Sequence, residues 1–269
     1  MGKIDATAKV ASGAAIAEDV EIGPYCIVGP QVELAPGVRL LSHVSVTGHT
    51  SIGARTVVYP FASLGTPPQS VHYRGGDTRL VIGADCQIRE GCTANTGTED
   101  GRGITRIGDG CFMMVGSHVG HDCEVGNHVT FANNAVLAGH VSVGDYVVFG
   151  GQAAVRQFVR IGAGVMVAGL TGIRADVIPW SMVEGRIGHL AGLNVVGLRR
   201  RGFSKADIQR LRQTYQRLFF GPGTFRSRAE AVVADKGDPP VAEVIEFIVA
   251  SGDRPLTMGV RRAEANAGP

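Results

Sequence analysis

The sequence predicts an all-β solenoid, a chain wound into stacked polygonal coils, followed by a small helical domain. Three observations carry this. Aliphatic residues recur every six positions, and a small residue follows each of them four positions later. Glycine reaches 39 of 269 residues, while aromatics stay at 6% and charged residues at 19%. The hydrophobic fraction of 44% supplies a sizeable core and excludes a disordered chain. No run approaches the ~18 apolar residues of a membrane span. The opening stretch MGKIDATAKVASGAA carries an acid early and lacks an apolar segment, so neither membrane insertion nor a secretory leader is expected.

Counting in sixes from Ile4 meets Val10, Ile16, Ile22, Val28, Leu34, Leu40, Val46, Ile52, Val58 and Leu64. Residues 65–79 (GTPPQSVHYRGGDTR) break the phase, and Ile82 and Ile88 regain it. Residues 95–106 (NTGTEDGRGITR) shift it by one. From Ile107 the count runs unbroken through Met113, Val119, Val125, Phe131, Leu137, Val143, Phe149, Val155, Ile161 and Val167 to Ile173. Such a period suits short strands on flat sides, with aliphatics filling the interior and glycine supplying positive φ where the chain turns. All five cysteines (Cys26, Cys86, Cys92, Cys111, Cys123) occupy the small fourth position, so they read as buried reduced thiols, which fits a cytoplasmic protein. Over residues 4–178 the pattern resembles the hexapeptide-repeat family, which implies a left-handed parallel β-helix with three hexads per coil.

With three hexads per coil, residues 18 apart stack at ordinary strand spacing. That arithmetic is expected to bring His121, His140 and Gln157 onto one face over three coils, with His118 at the corner just before. An imidazole is the natural general base near neutral pH, and the neighbouring Asp122 could orient it. A zinc site of the carbonic-anhydrase type is the competing reading, but His118 and His121 on one hexad boundary do not supply three ligands, so no metal is expected. The two insertions are where a solenoid builds binding loops. Neither has the spacing of a nucleotide phosphate loop.

The hexads stop at Ile178-Pro179, dividing the chain into a β-helix domain, 1–179, and a helical domain, 180–269. In the second, Ser204 and Asp207 resemble a capping box opening a helix, and 240–250 read as another helix among three or four. Between Arg186 and Arg217 eight basic residues face a single acid, Asp207. This suits an acidic partner or a phosphate, whereas a net charge of +2 and thin aromatic content argue against nucleic acid.

Three stretches narrow the resemblance: GSHVGHDCEVGN (116–127), ANNAVLAGHVSVGDYVVFGG (132–151) and GLNVVGLRRRGFS (192–204). They are similar to the UDP-N-acetylglucosamine O-acyltransferase family of lipid A synthesis. The resemblance implies transfer of a 3-hydroxyacyl group from acyl carrier protein to the sugar 3-position. His121 would be the general base, Asp122 its orienting acid and Gly139 the oxyanion donor through its N–H. It implies further that Gln69, His72, His118, His140 and Gln157 contact substrate, that Asn194, Arg200 and Arg201 hold a nucleotide or phosphopantetheine phosphate, and that Gly169 limits acyl length. A homotrimer is implied, as is the absence of any cofactor beyond the phosphopantetheine on the carrier. The chain departs from the family's usual residues at Ser70 and His72 (usually Asp and Lys), Asn95 and Arg156 (usually His) and Val196 (usually acidic). The loop departures raise the 3-amino analogue of the sugar as an alternative acceptor.

Overall fold

The computed structural model describes residues 3–234 and 239–260. From Lys9 onward, short strands separated by tight corners wind into a left-handed parallel β-helix of triangular section. Its three sheets hold nine, eight and ten strands, and the chain visits them in turn. We call these the first face (beginning with Lys9–Val10), the second (Ala15–Ile16) and the third (Glu21–Ile22). Up to Ile173 the pairing is parallel and 18 residues apart wherever no insertion intervenes, as in Phe131↔Phe149 and Leu137↔Val155.

The repeat explains the section. From Val20 onward the aliphatic and the small fourth residue of the hexads point inward, so Ile22, Cys26, Val28, Val119, Cys123 and Val125 are all buried. Phe131 and Phe149 stack in adjacent coils with ring centroids 5.0 Å apart. All five cysteines are buried free thiols.

Glycine supplies positive φ at several corners, as expected, among them Gly13, Gly37, Gly91, Gly110, Gly116 and Gly164, each the third residue after the aliphatic. Among the described residues fourteen others adopt positive φ without being glycine, including Tyr25, Asp122, His140, Tyr146 and Phe158, most of them at the same corner position. Glycine has a second role directly after the aliphatic, where successive coils approach closely. A Cβ on Gly23 would lie 1.4 Å from the Leu41 carbonyl oxygen.

The parallel pairing extends past Pro179. Ser181–Glu184 adds to the third face and turns back as an antiparallel hairpin with His189–Leu193. Helices α1 (Val195–Arg200), α2 (Lys205–Phe220), α3 (Phe225–Ala234) and α4 (Val241–Val249) follow. The Ser204/Asp207 capping box is formed, and α2 buries Ile208, Leu211, Tyr215, Leu218 and Phe219, a helical stripe. The helical tail is clasped to the coil by Asp176, which accepts hydrogen bonds from Arg160 and Arg254. None of the described helices is long and apolar enough to cross a membrane.

Candidate active site

Both insertions leave the coil at the same corner. The first joins Ser63–Thr66 on the first face to Arg79–Ile82 on the second. The second joins Thr93–Asn95 to Ile104–Ile107 in the next coil. One coil further on, the corner is made by Gly120, His121 and Asp122, so this pair emerges beside the inserted loops.

The two side chains take different environments. Asp122 has positive φ (59°) and is fully buried, its carboxylate accepting hydrogen bonds from the Thr98 amide, the Thr98 hydroxyl and the Gly103 amide. His121 faces a cleft and places Nδ1 2.9 Å from Asp122 Oδ2. Burial alone would push the Asp122 carboxyl up, but the hydrogen bonds from Thr98 and His121 outweigh it and hold it below the usual carboxylate range. An ionised Asp122 fixes the proton of His121 on Nδ1 and leaves Nε2 as the basic atom.

The cleft has a volume of about 510 Å³ and is lined by Gln69, Asn95, His118, His121, Gly139, Arg156, Gln157 and Arg174, among others. His118 is fixed by the Thr93 hydroxyl, 2.7 Å from Nδ1, and burial, helped by the nearby His121, lowers its pKa. Gly139 stands one coil above His121, and a Cβ there would lie 2.5 Å from the imidazole Nε2. Its N–H has no partner among the described residues. That follows from the corner, because the equivalent position carries proline at Pro24, Pro30, Pro36 and Pro60, where no N–H exists. What distinguishes Gly139 is the imidazole beside it. A larger cleft of about 690 Å³, between the second face and α4, includes Arg106, Glu124 and Arg160 but no histidine, so chemistry and not size locates the site.

The expected stack of His121, His140 and Gln157 is corrected. The 18-residue column through His121 contains Gly139 and Gln157, whereas His140 shares its position with Asp122 and Phe158. His140 still approaches, its ring centroid 4.9 Å from that of His121 and its other face stacked on Phe158 at 4.4 Å. Burial lowers its pKa against the opposing pull of Asp122.

His121, Asp122 and His140 present donor atoms within 4.8 Å of one another. The carboxylate lone pairs that an ion would need are already taken by Thr98, Gly103 and His121.

Other expected site residues lie apart. His72 is exposed in the first insertion and does not line the cleft. Gly169 sits at the corner between the third and first faces, against Gly151. Asn194 caps α1 through the Gly197 amide and donates to the Gly164 carbonyl. Arg201 places its guanidinium 3.5 Å over the Tyr146 ring, and Arg200 is exposed beside it. These tail residues are at the corner between the second and third faces, a different edge of the prism from His121. Arg174 was missed in the sequence, although it follows Arg156 by one coil length. Thr98 gave no periodic signal, because it lies inside an insertion.

The comparisons agree with this geometry. A family model described as UDP N-acetylglucosamine O-acyltransferase, domain 2, matches residues 176–257, and one for bacterial transferase hexapeptide repeats matches 104–139. An acyl-[acyl-carrier-protein]–UDP-N-acetylglucosamine O-acyltransferase of Azorhizobium caulinodans is 58% identical over 255 residues, covering 94% of each chain. One of the same name from Paracoccus denitrificans is 50% identical, covering 74% of this chain and 75% of its own. The solved structure of a UDP-N-acetylglucosamine acyltransferase from Campylobacter jejuni superposes with a TM-score of 0.88 at 35% identity, covering 97% of this chain and all of that one. A further solved structure titled UDP-N-acetylglucosamine acyltransferase gives a TM-score of 0.92 at 39% identity, covering 96% and 100%. The coil, the cleft and these likenesses together establish that the chain belongs to the UDP-N-acetylglucosamine O-acyltransferase family.

Proposed function

We propose that the protein transfers a 3-hydroxyacyl group from acyl carrier protein to the 3-hydroxyl of UDP-N-acetylglucosamine, the first step of lipid A synthesis. The observation that carries the reading is the His121–Asp122 pair facing, across one coil, a Gly139 N–H without a partner among the described residues. Nε2 of His121 takes the proton of the sugar hydroxyl as its oxygen attacks the thioester carbonyl. The oxyanion of the tetrahedral intermediate accepts the Gly139 N–H, an interaction worth about 3 kcal/mol in comparable sites. Collapse breaks the C–S bond, and the phosphopantetheine thiolate leaves with the proton held by His121. Asp122 stays ionised throughout and stabilises the imidazolium. No metal or resident cofactor takes part.

Arg156 and Arg174 line the cleft without an ion pair among the described residues, which suits substrates bearing phosphate. The acceptor is the hydroxyl sugar, as in the relatives' O-acyltransferase name, and the 3-amino alternative is not favoured. Because the base and the tail residues Asn194, Arg200 and Arg201 occupy different edges of one prism, a complete site takes them from two chains, which a cyclic homotrimer provides. The basic tail then receives the acidic carrier protein, and the reaction takes place in the cytoplasm. A mass-resolved assay with UDP-N-acetylglucosamine, its 3-amino analogue and 3-hydroxyacyl carrier proteins tests this. O-acylated UDP-sugar is the expected product, and amide alone, or no transfer, would overturn it.

A further inference from the structure

We propose that the second insertion is built to hold the Asp122 carboxylate, and that Thr98 is a positioning residue for the His121–Asp122 pair. The inference rests on the acyl-transfer reading above. Thr98 donates its hydroxyl to Oδ2 at 2.6 Å and its amide to both carboxylate oxygens at 3.1 Å. Gly103 donates to Oδ1 at 3.1 Å. The backbone of Asp122 is fixed as well, its N–H donating to the Thr105 hydroxyl at 2.8 Å and its carbonyl accepting from Arg102 at 2.8 Å. A segment of nine residues, 97–105, therefore wraps one carboxylate.

Two glycines make the wrap close enough. A Cβ on Gly101 would lie 2.5 Å from Oδ2, and one on Gly97 would lie 2.9 Å from Oδ1. Neither needs positive φ, so the demand at both is for space. Thr98 and Asp122 are both buried, and the hydroxyl shares Oδ2 with His121 Nδ1. The carboxylate can neither rotate away from the imidazole nor collect the Nδ1 proton without giving up these donors. The neighbouring Glu99 ties the first insertion to the same segment, accepting from the Arg74 and Gly76 amides at 2.9 and 2.7 Å.

The other ionisable groups around the pair are His140 from the next coil, Nε2 at 3.8 Å from Oδ2, Cys123 on the same coil, His118, which acts on His121, and Arg102, which reaches Glu124 at 3.8 Å. None of them donates to the carboxylate oxygens in place of Thr98.

The test is Thr98→Val and Thr98→Ser beside wild type and Asp122→Asn, in full-length protein with UDP-N-acetylglucosamine and acyl carrier protein. Valine keeps the shape and removes the donor. Loss of one hydrogen bond to a charged group should lower kcat about tenfold or more, with KM for both substrates within about twofold. With one donor fewer, more of the carboxylate charge is left to the imidazolium form of His121, so the acid limb of the pH profile of kcat/KM moves to higher pH. Serine should restore both. In an Asp122→Asn background the valine effect should vanish, because Thr98 acts through that carboxylate. Unchanged kcat in Thr98→Val, equal loss in Thr98→Ser, or the same factor on top of Asp122→Asn would overturn the proposal. If valine unfolds the corner by circular dichroism, Thr98→Cys, a weaker donor of similar size, is read the same way. Absence of transfer by wild type would overturn the functional reading as well, whereas wild-type transfer with an unaffected Thr98→Val would overturn the role of Thr98 alone.

Discussion

Gly139→Ala separates the two roles assigned to this corner, placing the base and donating to the oxyanion. Gly139 needs no positive φ, so alanine fits its backbone and keeps the N–H. The added Cβ would lie 2.5 Å from both Cε1 and Nε2 of His121 and 3.0 Å from Nδ1. Carbon contacts ordinarily settle near ~3.5–4.0 Å, so the imidazole must retreat by about 1 Å. Displacing a reacting group by that much costs roughly a hundredfold in rate, or about 2.7 kcal/mol of barrier. Because Asp122 is locked behind His121, the ring cannot retreat and keep its 2.9 Å bond to Oδ2. The assay is kcat at saturating acyl carrier protein and UDP-sugar, for Gly139→Ala alone and combined with His121→Ala. The expected result is a loss of about a hundredfold alone and no further loss in the double variant. A kcat within about threefold of wild type would refute the reasoning, as would an undiminished Gly139→Ala penalty without the imidazole.

Two further outcomes follow from other parts of the molecule. Asp176 is 2% exposed and accepts from Arg160 and Arg254; burial pushes its carboxyl up, but these bonds outweigh it and hold it below the usual range. Its stabilisation is therefore complete above the unfolded value, about pH 4, and is lost as pH falls through the lower folded value. Asp176→Asn should cost about 3–5 kcal/mol in urea unfolding at pH 7, with the gap to wild type closing below about pH 4; a pH-independent gap would count against the clasp. If each site is shared by two chains, refolding equal amounts of His121→Ala and Arg201→Ala should restore about a quarter of the wild-type sites, since each chain supplies one intact half. Activity no greater than the sum of the two separate variants would exclude the shared site.

The coil was readable almost residue by residue, because every hexad repeats the same packing problem. An aliphatic at Val119 or Leu137 must fill the interior, and a small residue at Cys123 or Val141 must fit the corner. The same regularity put His121 and Gln157 in one column, yet a one-residue offset in the arithmetic placed His140 there as well, at the coil where the column in fact holds Gly139. His140 in fact shares the left-handed position of Asp122 and Phe158, and it reaches His121 by ring contact. The Asp122 partners were not readable. Thr98 and Gly103 are 24 and 19 residues away, inside a loop with no period to count by. Nor could the sequence place Asn194 and Arg201 on a different edge from His121, since that depends on how the hairpin 181–193 turns the chain across the third face.

The most direct test of the account is mass-resolved transfer to UDP-N-acetylglucosamine by wild type and His121→Ala at equal folded concentration. The account expects an O-acylated UDP-sugar from wild type and a loss of about a thousandfold or more in the variant, as for removal of a general base held by a buried carboxylate. Transfer by His121→Ala at a rate near that of wild type would contradict it.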